Sequence, residues 1–296
     1  MRARQLEVFC AVMRTGTVTA AARELNISQP ALSQILRHTE DELRISLFER
    51  AKGRLHPTEA ATELYQEAER VFSGLDALRR RVADMRAGRV GLVRLAASAP
   101  PSMSFLPEAI SAFRARHPEV VLRSMVGPVA NLTQMVRDGD AGIAVAMNDA
   151  PQPGLDVELL GTVTMVCLLP AGHPLSAQTT LTLNDLAAET LISYRQPTLP
   201  GRRLARLAAE AGLSFMPEIE IDASISALPF VQQGLGTAVV DGLMPWSRFT
   251  GVEVRPLAPE VRLPVTLLTS KDATLSTPHR ALLGCLRTAF ASHQES

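Results

Sequence analysis

Seven apolar residues, Leu64, Ala68, Val71, Leu75, Leu78, Val82 and Met85, follow one another at steps of 4, 3, 4, 3, 4 and 3. A helix docked on its own domain tolerates a looser 3.6-residue period. A strict 3.5-residue average instead keeps one seam turned toward a partner helix. The spacing predicts a long helix over residues 59–88 that pairs with another helix, and Gly88 ends it. This helix divides the chain into a head, residues 1–58, and a body, residues 89–296, each large enough to bury a core of its own.

The head reads as three short helices and a hairpin. Leu6, Phe9, Val12 and Met13 share one face of a helix that stops at Gly16. Val18, Ala21, Ala22 and Leu25 follow the i, i+3, i+4, i+7 template, with Thr17 or Thr19 to cap them. Asn26-Ile27 is a tight link. Ser28 caps a third helix with Pro30 in its first turn and Leu32, Ile35, Leu36, Thr39 and Leu43 facing inward. The alanines at 20–22 allow two helices to cross closely, as a helix-turn-helix requires. On the outer face of the third helix stand Gln29, Pro30, Ala31, Ser33, Gln34 and Arg37. Amides bind an adenine edge bidentately, and small side chains let a helix sit deep in the major groove. Arg50, Lys52 and Arg54 then cluster on a hairpin around Ala51-Lys52-Gly53, suited to lie along a phosphate backbone as a wing. The head has nine basic and six acidic side chains, a balance of +3. Residues 91–296 have 15 and 18, a balance of −3, within a chain of zero net charge. Only the head therefore suits a polyanion.

In the body, strands and helices alternate: strands at 93–97, 120–126, 143–146, 164–169, 191–193, 218–222, 237–240 and 265–269, with helices near 103–116, 131–137, 201–211, 225–233 and 278–290. Alternation of this kind argues for parallel α/β sheets. A return to the first unit after residue 264 implies two lobes, about 91–161 with 265–296, and about 162–264, hinged around a ligand cleft at strand ends. Candidate cleft residues are Ser102 and Met103 after the first strand and Gly127, Pro128 and Val129 after the second. From the other lobe come Ser193, Tyr194, Arg195, Ser224 and Asp241. Ser102 at a helix start and Arg195 suit a carboxylate, and Asp241 suits an amine, so the set fits a zwitterion.

The head resembles the N-terminal signature of LysR-type transcriptional regulators. The resemblance rests on Thr17-Val18-Thr19-Ala20-Ala21-Ala22, Leu25 through Ser33, Glu40, Leu47-Phe48-Glu49-Arg50 and Thr58-Glu59-Ala60. It continues through Phe105-Leu106-Pro107, His117-Pro118-Glu119-Val120, Leu169 through Leu175 and Val231 through Gly236. Four positions depart from the pattern: Thr39 stands in place of Leu, Arg44 and Ala61 in place of Gly, and Gly142 in place of Asp, so that what that carboxylate supports is either missing or taken over by Asp140. The resemblance implies a winged helix-turn-helix head, a linker helix and an α/β clamshell like that of periplasmic binding proteins. It also implies a dimer or dimer of dimers on palindromic double-stranded DNA, a small carboxylate effector and RNA polymerase as a further partner. The position matching Ser102 commonly contacts ligand in that family. Leu191 through Tyr194 and Gly236 through Asp241 are similar to members that sense amino acids or opines.

Other classes fit less well. The six histidines and three cysteines show no metal-ligand spacing, and there is no phosphate-binding glycine loop or nucleophile elbow, so no cofactor and no enzyme activity is expected. An architectural DNA-bending protein would not need the α/β body. No apolar run approaches the roughly 18 residues of a membrane span, and Cys10, Cys167 and Cys285 are scattered as in a reducing cytoplasm.

Overall fold

The computed structural model describes residues 1–51, 54–86 and 91–295. In the wing and the long helix some positions, among them Arg50, Arg54 and Met85, are described by their backbone alone. The chain divides into two compact units, Met1–Val82 and Ala83–Ser296.

In the first unit α1 (Ala3–Thr15), α2 (Val18–Glu24) and α3 (Gln29–Leu43) precede a hairpin of β1 (Phe48–Ala51) and β2 (Arg54–Pro57) and the long α4 (Glu59–Arg86). Local signals set the boundaries. Gly16 takes a left-handed φ of 70° and closes α1 through its N–H to the Val12 carbonyl. Thr17 caps α2 at Ala20 N, and Ser28 caps α3 at Ala31 N. Val8, Ala11, Val12, Ala21, Ala22, Leu32 and Leu36 form the core, where the two alanines let the helices cross. The departures from the family pattern are accommodated locally. Thr39 is buried and donates its hydroxyl to the Ile35 carbonyl at 2.8 Å. Ala61 packs into the core. Arg44 adopts a left-handed φ of 56° at the end of α3.

The heptad stripe on α4 splits in two, which corrects the expectation of one uniform pairing seam. Ala68 is buried and Leu64 half-buried against Phe9, Cys10 and Leu47 of the same head. Beyond them Val71, Leu75, Leu78 and Val82 are 41–58% exposed. The Met85 side chain lies outside the described residues.

The second unit runs β3 (Val93–Ala97), α5 (Ala99–Met103), α6 (Leu106–Arg116), β4 (Leu122–Val126), α7 (Val129–Arg137), β5 (Ile143–Ala146) and β6 (Leu155–Pro170). Then come β7 (Leu181–Thr182), β8 (Leu191–Tyr194), α8 (Leu199–Glu210), β9 (Ile219–Ile221), a 3-10 turn at Ser224–Ser226, α9 (Ala227–Gln232) and β10 (Thr237–Asp241). It ends with β11 (Val252–Ala258), β12 (Arg262–Ser270) and α10 (Thr277–Glu295). The sheet order is β4-β3-β5-β12-β6-β10-β8-β9, with β11 on β6 and β7 on β11. Each flank is parallel, β4-β3-β5 and β10-β8-β9. The central strands β12 and β6 run antiparallel to their neighbours. The sheet is therefore mixed, where the sequence argued for parallel sheets.

β6 joins the lobes. It pairs with β12 through Thr164 and with β10 and β11 from Met165 onward. Its first half is mostly exposed, so it lacks the apolar run that marks its second half, and that explains why the sequence reads a strand only from 164. The helix expected over 103–116 begins at Leu106 with Pro107 in its first turn, and Met103 ends the separate short α5, which has Pro100 in its own first turn.

Candidate DNA-reading surface and effector cleft

On α3, Ser28, Gln29, Pro30, Gln34 and Arg37 are exposed and Ala31 and Ser33 half-buried, while Leu32 and Leu36 fasten the opposite face. The helix thus presents a polar, short-chained N-terminal face on a rigid support. Lys52 lies outside the described residues, as do the side chains of Arg50 and Arg54. A feature hidden in the sequence fixes the hairpin: Glu40 Oε1 accepts from Leu47 N at 2.7 Å and Phe48 N at 3.0 Å. The charge-assisted pair ties the entry to the wing onto α3. Thr58 donates to the Ser46 carbonyl at 2.9 Å and caps α4 at Ala61 N, closing the other end of the hairpin. Glu42, bonded to the Met1 amine and Gln5 Nε2, has its carboxyl pulled down to about 2.

In the second unit, strand ends of the two lobes meet where α5 approaches the 3-10 turn Ser224–Ser226. Ser98 stands at the N-cap position of α5, after β3, without a side-chain capping hydrogen bond. Its hydroxyl is buried and has no protein partner among the described residues. Ser102 does not begin a helix, as the sequence suggested. It stands one turn into α5 and donates its hydroxyl to the Ser98 carbonyl at 2.9 Å. Met103 is 37% exposed. Gly127 donates its N–H to the Ala97 carbonyl, and Pro128 and Val129 open α7.

Lobe II is arranged otherwise. Ser193 is fully buried and donates to the Val239 carbonyl at 2.7 Å. Asp241 is fully buried: Oδ2 accepts from the Tyr194 hydroxyl at 2.7 Å, and Oδ1 accepts from Leu243 N and Met244 N at 3.1 and 3.2 Å. Its own carbonyl accepts from Trp246 Nε1. Burial raises the Asp241 carboxyl above the usual aspartate range, and the neighbouring Ser224 and Tyr194 hydroxyls and backbone donors oppose that rise. Tyr194 is also held well above the usual phenol range by burial and by Asp241.

These contacts correct the expectation of an amine-reading carboxylate. Every acceptor direction of Asp241 that the network uses points into lobe II, and Ser193 and Tyr194 are enclosed with it, whereas the hydroxyl of the buried Ser224 has no hydrogen-bond partner among the described residues. Arg195 is not free for a carboxylate either, since it pairs with Asp222 at 2.6 Å at the exposed end of β9. The space that a side chain at Gly142 would enter is filled by the His279 ring from α10. A Cβ on Gly142 would run into that ring, whose Nδ1 lies 2.7 Å from Ser276 Oγ. Ser98 was legible after all: Ser-Ala-Pro-Pro at the end of an apolar strand is an N-cap followed by first-turn prolines.

Comparison with known proteins agrees with both halves of this description. Residues 3–62 match the family described as "Bacterial regulatory helix-turn-helix protein, lysR family". Residues 86–291 match the "LysR substrate binding domain". The chain is 34% identical to Regulatory protein NocR of Agrobacterium fabrum over 81% of this chain and 80% of that one. It is 31% identical to Transcriptional activator protein LysR of Escherichia coli over 99% and 92%. With the octopine catabolism/uptake operon regulatory protein OccR of Rhizobium meliloti it shares 31% identity over 81% and 80%. In fold it is similar to full-length CbnR complexed with target DNA, with TM-score 0.67 and 19% identity over 98% of this chain and all of that one. Full-length BenM follows with TM-score 0.60 and 24% identity over 99% and 98%. The chain belongs to the LysR family of DNA-binding transcriptional regulators and carries that family's effector-binding domain.

Proposed function

We propose that this regulator reads a palindromic promoter site with paired α3 helices and wings, and answers to a small carboxylate-bearing effector of the amino-acid or opine class. The observation that carries the first part is the α3 face. Gln29, Pro30, Gln34 and Arg37 stand exposed on a helix whose other side is buried, on a hairpin-bearing head. The exposed stripe Val71, Leu75, Leu78 and Val82 supports pairing with a second copy through α4. A two-fold pair sets half-sites about one DNA turn apart, roughly 34–36 Å. A dimer of dimers, with RNA polymerase contacted in turn, is the assembly that the kinship supports, in the cytoplasm and with no catalytic role. Among the described residues no helix is long and apolar enough to cross a membrane.

For the effector, the support is Ser98, Ser102 and the Gly127–Val129 turn at the strand ends of lobe I, together with the kinship to OccR, whose name associates it with octopine. Asp241 serves the frame and Arg195 the exposed rim instead. Selection of binding sites from random DNA by wild type, Gln29→Ala and Ser33→Ala tests the groove assignment. Loss of preference at one half-site position supports it, and unchanged specificity rejects it. Thermal unfolding of the full chain with octopine and free amino acids tests the effector class. A ligand at a hundred times its Kd adds about 2.7 kcal/mol, so the unit should melt roughly 5–10 °C higher. An effector-independent architectural role would be favoured if no small molecule altered the DNA complex.

A further inference from the structure

Two rigid segments face one another between the lobes. After β5 the chain turns at Asn148-Asp149-Ala150. Asn148 is buried, its Nδ2 donating to the Ala150 carbonyl and its Oδ1 accepting from Ala150 N, both at 3.3 Å. Asp149 is thereby held out from lobe I on a fixed turn. In lobe II, α8 begins hard against the end of β8. Thr198 Oγ1 donates to the Arg195 carbonyl at 2.7 Å and accepts from Gly201 N at 3.1 Å. A Cβ on Gly201 would run into that same carbonyl, so only glycine permits the approach. Arg203 projects from the second turn of this anchored helix. Its Nη2 donates to Asp149 Oδ2 at 3.0 Å, and its Nη1 donates to the Arg262 carbonyl, where β12 re-enters lobe I. The crossing strands are bonded beside it, Met165 N to the Val261 carbonyl at 2.9 Å.

One side chain rooted in lobe II therefore grips both lobe I and the returning hinge strand. We propose that Arg203 and Asp149 form an ionic latch that holds the two lobes in their effector-free arrangement, and that opening or closure of the lobes must break it. A pair whose side chains are 34% and 39% exposed is partly screened by solvent, so the latch biases the lobes rather than locking them. Such a bias is what a small effector can reset, because a ligand shifts an equilibrium only by its differential affinity for the two states. The claim concerns the protein without effector, so its failure would leave the effector reading standing.

The test is the distance between spin labels on Ala115→Cys of α6 and Ala209→Cys of α8. Both sites are exposed, while the native Cys10, Cys167 and Cys285 are buried. Labelled full-length chain is diluted into unlabelled chain to suppress distances between subunits. In Arg203→Ala and in Asp149→Asn the distribution should broaden and move away from the wild-type distance by the same amount. The displaced population should grow roughly two- to five-fold, the size an exposed ion pair supports. The double variant should add nothing further, and the exchanged pair Arg203→Asp with Asp149→Arg should return toward wild type. Wild-type distributions in both single variants at low salt would overturn the latch. So would a change in Arg203→Ala alone, because the carbonyl contact would then be doing the holding.

Discussion

The strand ends of the two lobes leave different polar groups unmet. In lobe II Ser193 is bonded to Val239, Tyr194 to Asp241 and Arg195 to Asp222, while the buried hydroxyls of Ser176, Ser224 and Thr237 have no hydrogen-bond partner among the described residues. In lobe I the Ser98 hydroxyl is buried without a partner among the described residues, and beside it the α5 backbone and the Gly127–Val129 turn line the same strand ends. A buried hydroxyl left unmet costs free energy unless something else meets it. The difference marks the Ser193, Tyr194 and Asp241 cluster as a prebuilt wall, and leaves Ser98 of lobe I and Ser224 of lobe II as the strand-end hydroxyls available to a ligand.

Asp241 offers the largest break in that comparison. Asp241→Ala strands the Tyr194 hydroxyl and two backbone N–H groups in the interior and should cost about 3 kcal/mol or more in urea unfolding of the full chain. The sign of its pH dependence also follows. Burial raises the folded carboxyl above the ordinary 3.8. Its stabilising contribution is therefore complete below that value and fades as pH rises through the folded pKa. The urea midpoint advantage of wild type over Asp241→Asn should accordingly shrink as pH rises above 3.8. A constant gap would show that the carboxyl does not titrate differently in the fold.

In lobe I the corresponding perturbation is Gly142→Ala. The new methyl meets the His279 ring, so we expect a loss of about 1–3 kcal/mol that is largely recovered when His279→Ala is added. Simple additivity of the two substitutions would mean that the ring is not what fills the site. The smallest effect belongs to the rim: Arg195→Ala removes an ion pair to an Asp222 side chain that is 71% exposed. It should change the urea midpoint by less than about 0.5 kcal/mol equivalent. A larger loss would promote Arg195 from rim to frame.

The head was legible because its decisions are local. A glycine stop, two hydroxyl caps, a first-turn proline and small crossing residues lie within a few positions of what they determine. Glu40 shows the limit, since its carboxylate acts on residues seven and eight positions away and no spacing reveals that. On α4 the heptad was visible, but the division of labour was not. A 4-3 repeat says that Leu64 and Leu78 lie on one stripe, and only the fold shows that the former is covered by its own head. In the body, strand ends were readable from apolar runs, while the side to which a strand-end residue turns was not. Position alone places Asp241 at the cleft, whereas its carboxylate serves the interior. The first half of β6 escaped notice because it is largely solvated.

The account rests most directly on the unfolding free energies of Ser98→Ala and Ser193→Ala, measured side by side without ligand. Ser193 has a partner and Ser98 has none among the described residues. The account predicts opposite signs: a loss of about 1 kcal/mol for Ser193→Ala, and no loss or a small gain for Ser98→Ala. Equal losses in both would contradict it, because the Ser98 hydroxyl would then belong to the frame and lobe I would hold nothing in reserve for a ligand.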